Sequence, residues 1–256
     1  MSAKLIVCNG AFKSGSTWVY NIVIESFMIK PFNEKYKDEY YDGSINIDML
    51  KEFSSEVKKG VFVTKAHQSN SNVLKSVCED IKVKVIMIER DPRSVLLSYQ
   101  YHFMQSIGVK IPYNIFYRLL GKYKLCEVYN YNRNWKRESE LDVLWLKFES
   151  LKVNPVKSIE NICSFVGGSS TYDYNLVAQN TTLEALRNKQ KDESSKLFFR
   201  EGKVSGWKKV FSNDFSSKVV SDYNHPSNLT KIITYILFDL RRKLPRKKTY
   251  IKGARV

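Results

Sequence analysis

The sequence predicts an α/β fold, a single domain with a central parallel sheet flanked by helices. Three observations carry that prediction. Short apolar runs alternate with longer segments of helical period along the first 240 residues, as buried strands joined by covering helices do. No internal repeat or low-complexity linker interrupts them. The chain of 256 residues is 43% hydrophobic and 13% aromatic, which excludes wholesale disorder. No apolar run reaches the roughly 20 residues of a membrane-spanning helix.

Lys4–Cys8 reads as the first strand and residues 16–29 as the helix after it. Val61–Thr64 and Val83–Ile88 are strands of the same buried type, each leading into a helical stretch. Val143–Leu146 is a fourth strand, followed by a helix with marked ends. Asn154 suits its N-cap, Pro155 its first turn, and Gly167-Gly168 its close. Ile159, Ile162, Cys163 and Val166 give that helix one core face. Leu229, Ile232, Ile233, Ile236, Leu237 and Leu240 form a stripe on a last amphipathic helix, most simply read as a core-packing face, with an interfacial helix as the alternative. The expected division is a domain over residues 1–240 and a basic tail over 241–256.

Charge narrows the partners. The formal net charge is +16, and residues 241–256 supply half of it with eight basic and no acidic side chains. The body suits an anionic ligand, and the tail is where contact with nucleic acid or an anionic membrane would arise. No specific partner is required for such a tail, and nucleic-acid binding is not expected. Met1–Lys4 runs straight into a strand-like segment, and Cys8, Cys78, Cys126 and Cys163 form no CxxC pair. The expectation is a reduced, cytoplasmic protein with no metal.

Four segments carry chemistry. Asn9-Gly10-Ala11-Phe12-Lys13-Ser14-Gly15-Ser16-Thr17-Trp18 joins the first strand to its helix, and a strand–turn–helix of this kind cradles oxyanions. Gly10 and Gly15 have Walker spacing, but Ser16 follows Gly15 where a Walker loop has lysine. The loop lysine is Lys13, displaced in a way that argues against an ordinary ATPase. The plain alternative is a polar strand-to-helix turn. Arg90 follows the third strand at the carboxyl edge where open α/β sheets bind ligands, with Ser98 eight residues on.

Lys65-Ala66-His67 ends the second strand, where an imidazole can act as general base. His102 sits among aromatics and His225 before Pro226, both reading as structural. Arg200-Glu201-Gly202-Lys203-Val204-Ser205-Gly206-Trp207 combines basic residues with glycines. It is either a flexible surface loop or an anion-binding one.

In this order the segments resemble the cytosolic-type sulfotransferases that use 3′-phosphoadenosine 5′-phosphosulfate (PAPS), over residues from about 5 to 215. Lys13–Trp18 resembles the family's Lys-Ser-Gly-Thr-Thr-Trp loop, and Lys65-Ala66-His67 its Lys-x-His segment. Arg90 and Ser98 match its 3′-phosphate arginine and serine, and Arg200-Glu201-Gly202 resembles its Arg-Lys-Gly loop. The resemblance implies a P-loop-like sulfotransferase fold that moves a sulfuryl group from PAPS to a hydroxyl, or an amine, of a small molecule. Adenosine 3′,5′-bisphosphate leaves, and no metal takes part.

In that scheme His67 is the base, Lys65 steadies the sulfuryl oxygens, and Lys13 balances charge on the leaving bridging oxygen. Ser14, Gly15, Ser16 and Thr17 cradle the 5′-phosphate, Trp18 stacks on adenine, and Thr181 falls near it. Arg90, Ser98, Arg200, Glu201 and Gly202 belong to the 3′-phosphate site.

Phe12 replaces the family's proline, Ser16 its first threonine, Leu183 an aromatic near adenine and Glu201 a lysine. Phe148 stands where the family has tyrosine, so one hydroxyl contact to the nucleotide is missing. The family's acceptor-lining segment ahead of the first strand and its dimerisation motif are not recognisable, so the acceptor pocket does not transfer. A compact enzyme tailoring a secondary metabolite is the expectation. The competing readings are a small-molecule P-loop kinase and a basic module that binds nucleic acid or membrane.

Overall fold

A computed structural model describes residues 3–27, 47–57, 59–167, 173–189, 202 and 204–243. The elements run β1 (Lys4–Gly10), α1 (Ser16–Phe27), α2 (Ile47–Glu56), β2 (Val61–Ala66), α3 (Asn72–Lys75), β3 (Lys82–Glu89), α4 (Pro92–Ile107) and α5 (Tyr113–Phe116). After a π-helical turn at Tyr117–Gly121 come α6 (Lys122–Lys136), β4 (Asp142–Lys147), α7 (Phe148–Val153), α8 (Pro155–Val166), α9 (Tyr174–Asn180) and α10 (Leu183–Lys189). A 3-10 turn at Gly206–Lys209 and two helices, Asn213–Asn224 and Asn228–Lys243, close the described chain.

By its contacts the chain divides into two compact units, Met1–Arg90 with Tyr131–Thr182, and Asp91–Asn130 with Leu183–Val256. The first holds the sheet. Its order is β2-β1-β3-β4 and every pairing is parallel, as expected of an α/β chain. β1 is buried along nearly its whole length because strands flank it on both sides. Leu5, Ile6, Val7, Val63, Val85, Ile86, Met87 and Ile88 form the sheet's share of the core. Burying each such side chain contributes about 1.5–3 kcal/mol before the entropy of ordering it.

The chain leaves β1 for β2 on one side, then crosses to β3 on the other. That reversal makes a topological switch point between β1 and β3, where ligands bind at the carboxyl edge. α8 has the predicted ends. The Asn154 side chain accepts from the Lys157 N–H, Pro155 opens the first turn, and Gly167 closes it with φ 85°. Its predicted face of Ile159, Ile162, Cys163 and Val166 is buried. Gly168 lies outside the described residues.

The second unit is built on an aromatic core. Leu96, Phe116, Tyr117, Leu125, Phe211 and Val219 are buried together, with Tyr99, Phe103, Tyr113 and Phe215 against them. The Tyr117 hydroxyl donates to Asp222 at 2.5 Å. One expectation fails here. Most of the stripe on the last helix does not pack into a core: Leu229 is 67% exposed, Ile232 58% and Ile236 49%, with Ile233 half-buried. The buried side of this helix carries Thr234, whose hydroxyl donates to the Thr230 carbonyl. Helical period alone detects an apolar face, whichever way that face turns. The tail beyond Lys243 lies outside the described residues. No helix among the described residues is long and apolar enough to cross a membrane.

Candidate active site

All four strands are parallel, so their carboxyl ends share one edge of the sheet and each delivers a side chain or loop there. After β1 the chain turns through Ala11–Gly15. The Ser14 N–H and hydroxyl both donate to the Ala11 carbonyl, at 3.0 and 2.5 Å. Lys13 has φ 67°, the one non-glycine residue in the left-handed region among those described. That conformation costs roughly 1–2 kcal/mol for an L-residue. Gly15 is at φ 112°, and a Cβ there would lie 2.7 Å from the Phe148 ring. Only glycine meets both demands.

α1 starts at Ser16. The Gly15 carbonyl accepts from the Trp18 N–H at 2.9 Å, whereas the N–H groups of the helix's opening residues have no acceptor within the helix. No acidic residue occupies this first turn, so the positive end of the helix dipole is left to an outside anion.

β2 brings Lys65 and His67. The Lys65 ammonium donates to the Thr17 hydroxyl at 3.3 Å, and burial lowers its pKa. His67 Nδ1 is 2.7 Å from the Gly10 carbonyl, and the ring meets Phe12 edge-on at 6.0 Å. β3 brings Arg90, whose Nη1 donates to the Lys13 carbonyl at 3.3 Å. The Arg90 guanidinium lies 4.0 Å from the centre of the Phe148 ring, which β4 delivers. The Phe148 ring then meets Trp18 edge-on at 5.4 Å. The Trp18 indole donates to the Thr181 carbonyl at 2.8 Å, and the Thr181 hydroxyl donates to Val177. Lys13 through Trp18, Lys65, His67, Arg90, Phe148 and Thr181 thus belong to one unit, and these contacts link them.

The remaining sequence-assigned residues belong to the second unit or lie outside the described residues. Ser98 is half-buried on α4. The Ser94 hydroxyl, one turn earlier on the same helix, donates to the Val204 carbonyl at 3.0 Å. Gly202 has φ 53°, and a Cβ there would overlap Leu183 Cδ1 at 1.7 Å. Leu183, expected near adenine, therefore packs on this glycine. Arg200 and Glu201 lie outside the described residues. Arg93, which the sequence reading passed over, stacks on Trp207 at 3.8 Å and pairs with Asp91 at 2.6 Å. It also donates to Ser216 at 3.3 Å.

The profile described as "Sulfotransferase domain" matches residues 4–232. The chain belongs to the sulfotransferase domain family. Sulfotransferase 1A1 of Canis lupus familiaris is 27% identical over 237 residues, covering 82% of this chain and 79% of its own. Sulfotransferase 6B1 of Homo sapiens is 26% identical over 216 residues, covering 78% and 68%. Two solved structures share the fold. Mouse sulfotransferase SULT7A1 complexed with PAP has TM-score 0.65 at 17% identity, covering 93% of this chain and 89% of that one. Retinol dehydratase in complex with androsterone and inactive cofactor PAP has TM-score 0.59 at 18%, covering 88% and 81%.

This sulfotransferase holds its histidine segment with a buried network that sequence reasoning missed. Asn9, near the end of β1, donates from Nδ2 to the Gln68 carbonyl at 3.1 Å and accepts from the Gln68 N–H at 3.0 Å. The Tyr131 hydroxyl donates to Asn9 Oδ1 at 2.6 Å, and the Trp135 indole to the Gln68 carbonyl at 2.7 Å. Asn9 thereby extends the β1–β2 ladder past Ala66 with a side-chain amide, fixing the backbone directly after His67. Burial raises the Tyr131 phenol well above its ordinary range, so it stays a donor. The available signal was a polar residue closing an apolar strand. Its partners lie too far along the chain for spacing to reveal them.

Proposed function

We propose that this sulfotransferase moves the sulfuryl group of PAPS to a hydroxyl of a small-molecule acceptor by in-line displacement, with His67 as base. One observation carries the reading. Lys13, Lys65, His67 and Arg90 all come from carboxyl ends of adjacent parallel strands, around a helix N-terminus free of acidic side chains. Cations and backbone donors so placed suit a polyanion. The PAP bound in the two similar structures, and the androsterone in one of them, support a nucleotide donor and a small acceptor.

His67 Nε2 takes the acceptor's proton while that oxygen bonds to sulfur, and the bond from sulfur to the bridging oxygen breaks. Lys13 offsets the charge that grows on the bridging oxygen, and Lys65 steadies the sulfuryl oxygens. Ser14, Gly15, Ser16 and Thr17 hold the 5′-phosphate, and Trp18 and Thr181 border the adenine. Arg90, propped on the Phe148 ring, is assigned to the 3′-phosphate, and by resemblance so are Ser98, Arg200, Glu201 and Gly202. Adenosine 3′,5′-bisphosphate is released.

The test is mass spectrometry of a panel of hydroxyl and amine acceptors incubated with PAPS, beside calorimetry with nucleotides. A sulfated product, with the bisphosphate bound at least about tenfold more tightly than AMP, is the expected result, since a charge-assisted contact contributes about 1.5–3 kcal/mol. Equal affinity for AMP and the bisphosphate, or phosphoryl transfer from ATP instead, overturns it.

A further inference from the structure

The last helix buries Thr234 and leaves Leu229, Ile232 and Ile236, three residues of its apolar stripe, exposed. Leu229, Ile232 and Ile236 fall within an arc of about 60° on a helical wheel, and all three are exposed, with Tyr235 beside them at 73%. Thr234, on the other side, is buried. An exposed apolar helix face marks a binding surface more often than an accident of packing, and Asp239, which falls between Tyr235 and Ile232 on the wheel, is the one acid on it.

Charge selects the partner. The stripe runs directly into Arg241, Arg242 and Lys243, and residues 241–256 hold eight basic and no acidic side chains. A protein partner would cover the apolar face without calling for sixteen residues that lack a single acid. Nucleic acid would use the basic residues and leave the stripe in water. An apolar helix face with a basic flank meets both demands at the boundary between lipid headgroups and acyl chains.

We propose that this helix docks the protein on an anionic phospholipid surface. Leu229, Ile232 and Ile236 enter the headgroup boundary, and the basic residues from Arg241 onward are drawn to the headgroup charge. Each basic side chain near such a surface raises partitioning about fivefold before screening, and salt weakens the effect. The inference does not depend on the sulfotransfer reading.

Co-sedimentation of the full-length protein tests it, with vesicles of phosphatidylcholine alone and of phosphatidylcholine mixed with phosphatidylserine. Binding should require phosphatidylserine and fall as sodium chloride rises. The neutral double variant Ile232→Gln, Ile236→Gln should bind about tenfold more weakly or worse, since it removes the buried apolar area. It should keep the wild-type melting temperature, because both positions are exposed. The triple variant Arg241→Gln, Arg242→Gln, Lys243→Gln should also lose at least about tenfold.

No sedimentation of the wild type overturns the proposal. So does undiminished binding by the isoleucine variant, which leaves only a basic tail at work. A concentration-dependent dimer abolished by that variant assigns the face to a second copy, and tighter capture by duplex DNA than by the mixed vesicles assigns the charge to nucleic acid. Either result also overturns it.

Discussion

The Nδ1 atom of His67 lies 2.7 Å from the carbonyl oxygen of Gly10. A carbonyl can only accept, so this contact places the proton on Nδ1 and leaves the lone pair on Nε2. The same bond ties the histidine to the start of the anion loop. His67→Ala should therefore lower turnover on a hydroxyl acceptor by roughly 10²–10⁴-fold. Affinity for the bisphosphate should stay within a few-fold of wild type, because the loop group it bonds, the Gly10 carbonyl, lies ahead of the Ser14–Thr17 residues assigned to the 5′-phosphate. Near-normal turnover with a verified hydroxyl acceptor would remove the histidine from the mechanism.

Arg90 reaches the Lys13 carbonyl at 3.3 Å and stacks on Phe148 at 4.0 Å. Losing a charge-assisted contact costs about 1.5–3 kcal/mol, so Arg90→Ala should weaken the bisphosphate roughly 10- to 150-fold by calorimetry. AMP affinity should change much less. Arg90→Lys should recover only part of the loss, since an ammonium has neither the flat face that rests on Phe148 nor the forked donors. Equal losses for both nucleotides would assign Arg90 to loop structure instead.

Burial lowers the pKa of Lys65 from an ordinary value of 10.5. Below the lowered value the folded protein bears the cost of a desolvated cation. Between that value and 10.5 the unfolded chain binds more protons, so stability rises with pH. Lys65→Met should thus raise the melting temperature of the nucleotide-free protein at neutral pH, with the gap narrowing as pH approaches 10. Turnover should fall at the same time. A variant that melts lower than wild type at neutral pH contradicts the burial argument.

Asn9 is fully buried and satisfies both backbone groups of Gln68. Asn9→Leu keeps the branching and number of side-chain heavy atoms and strands the Gln68 N–H, at a cost of about 1–3 kcal/mol per unsatisfied buried group. Urea unfolding should show a lower midpoint with an unchanged slope. Because the affected segment begins one residue after His67, turnover should fall more than nucleotide affinity. Unchanged stability would mean that the network is ornamental.

How much of this was legible beforehand follows from the range of each interaction. The four strands, the capped helix at Asn154–Gly167 and the anion loop rest on local chemistry: apolar runs, cap residues, glycines at fixed offsets. These show in the order of residues, and the observed strands exceed the expected ones by only one or two residues at an end. Lys13, Lys65, His67 and Arg90 were legible for the same reason, since each follows the end of a strand, whereas Thr181 follows a helix and came from the family resemblance alone.

The orientation of the last helix was not legible, because a period of 3.6 marks an apolar side without saying what faces it. Nor was the bond between Asn9 and Gln68, whose donors and acceptors stand 59 positions apart. Two features came from substitutions visible in the sequence whose meaning needed coordinates. Phe148 keeps the ring under Arg90 although it lacks a hydroxyl, and Leu183 fills the space that only a glycine at 202 leaves open.

Local pattern was enough to specify parallel strands with Lys13, Lys65, His67 and Arg90 following their ends, because those properties depend on neighbours a few residues away. That β1 lies between β2 and β3, that the Gly10 carbonyl assigns the His67 proton, and that Leu229, Ile232 and Ile236 face outward emerged only from the folded chain. Each of these depends on groups distant in the chain meeting in space, where packing and the satisfaction of buried polar groups choose among arrangements that local pattern leaves equal.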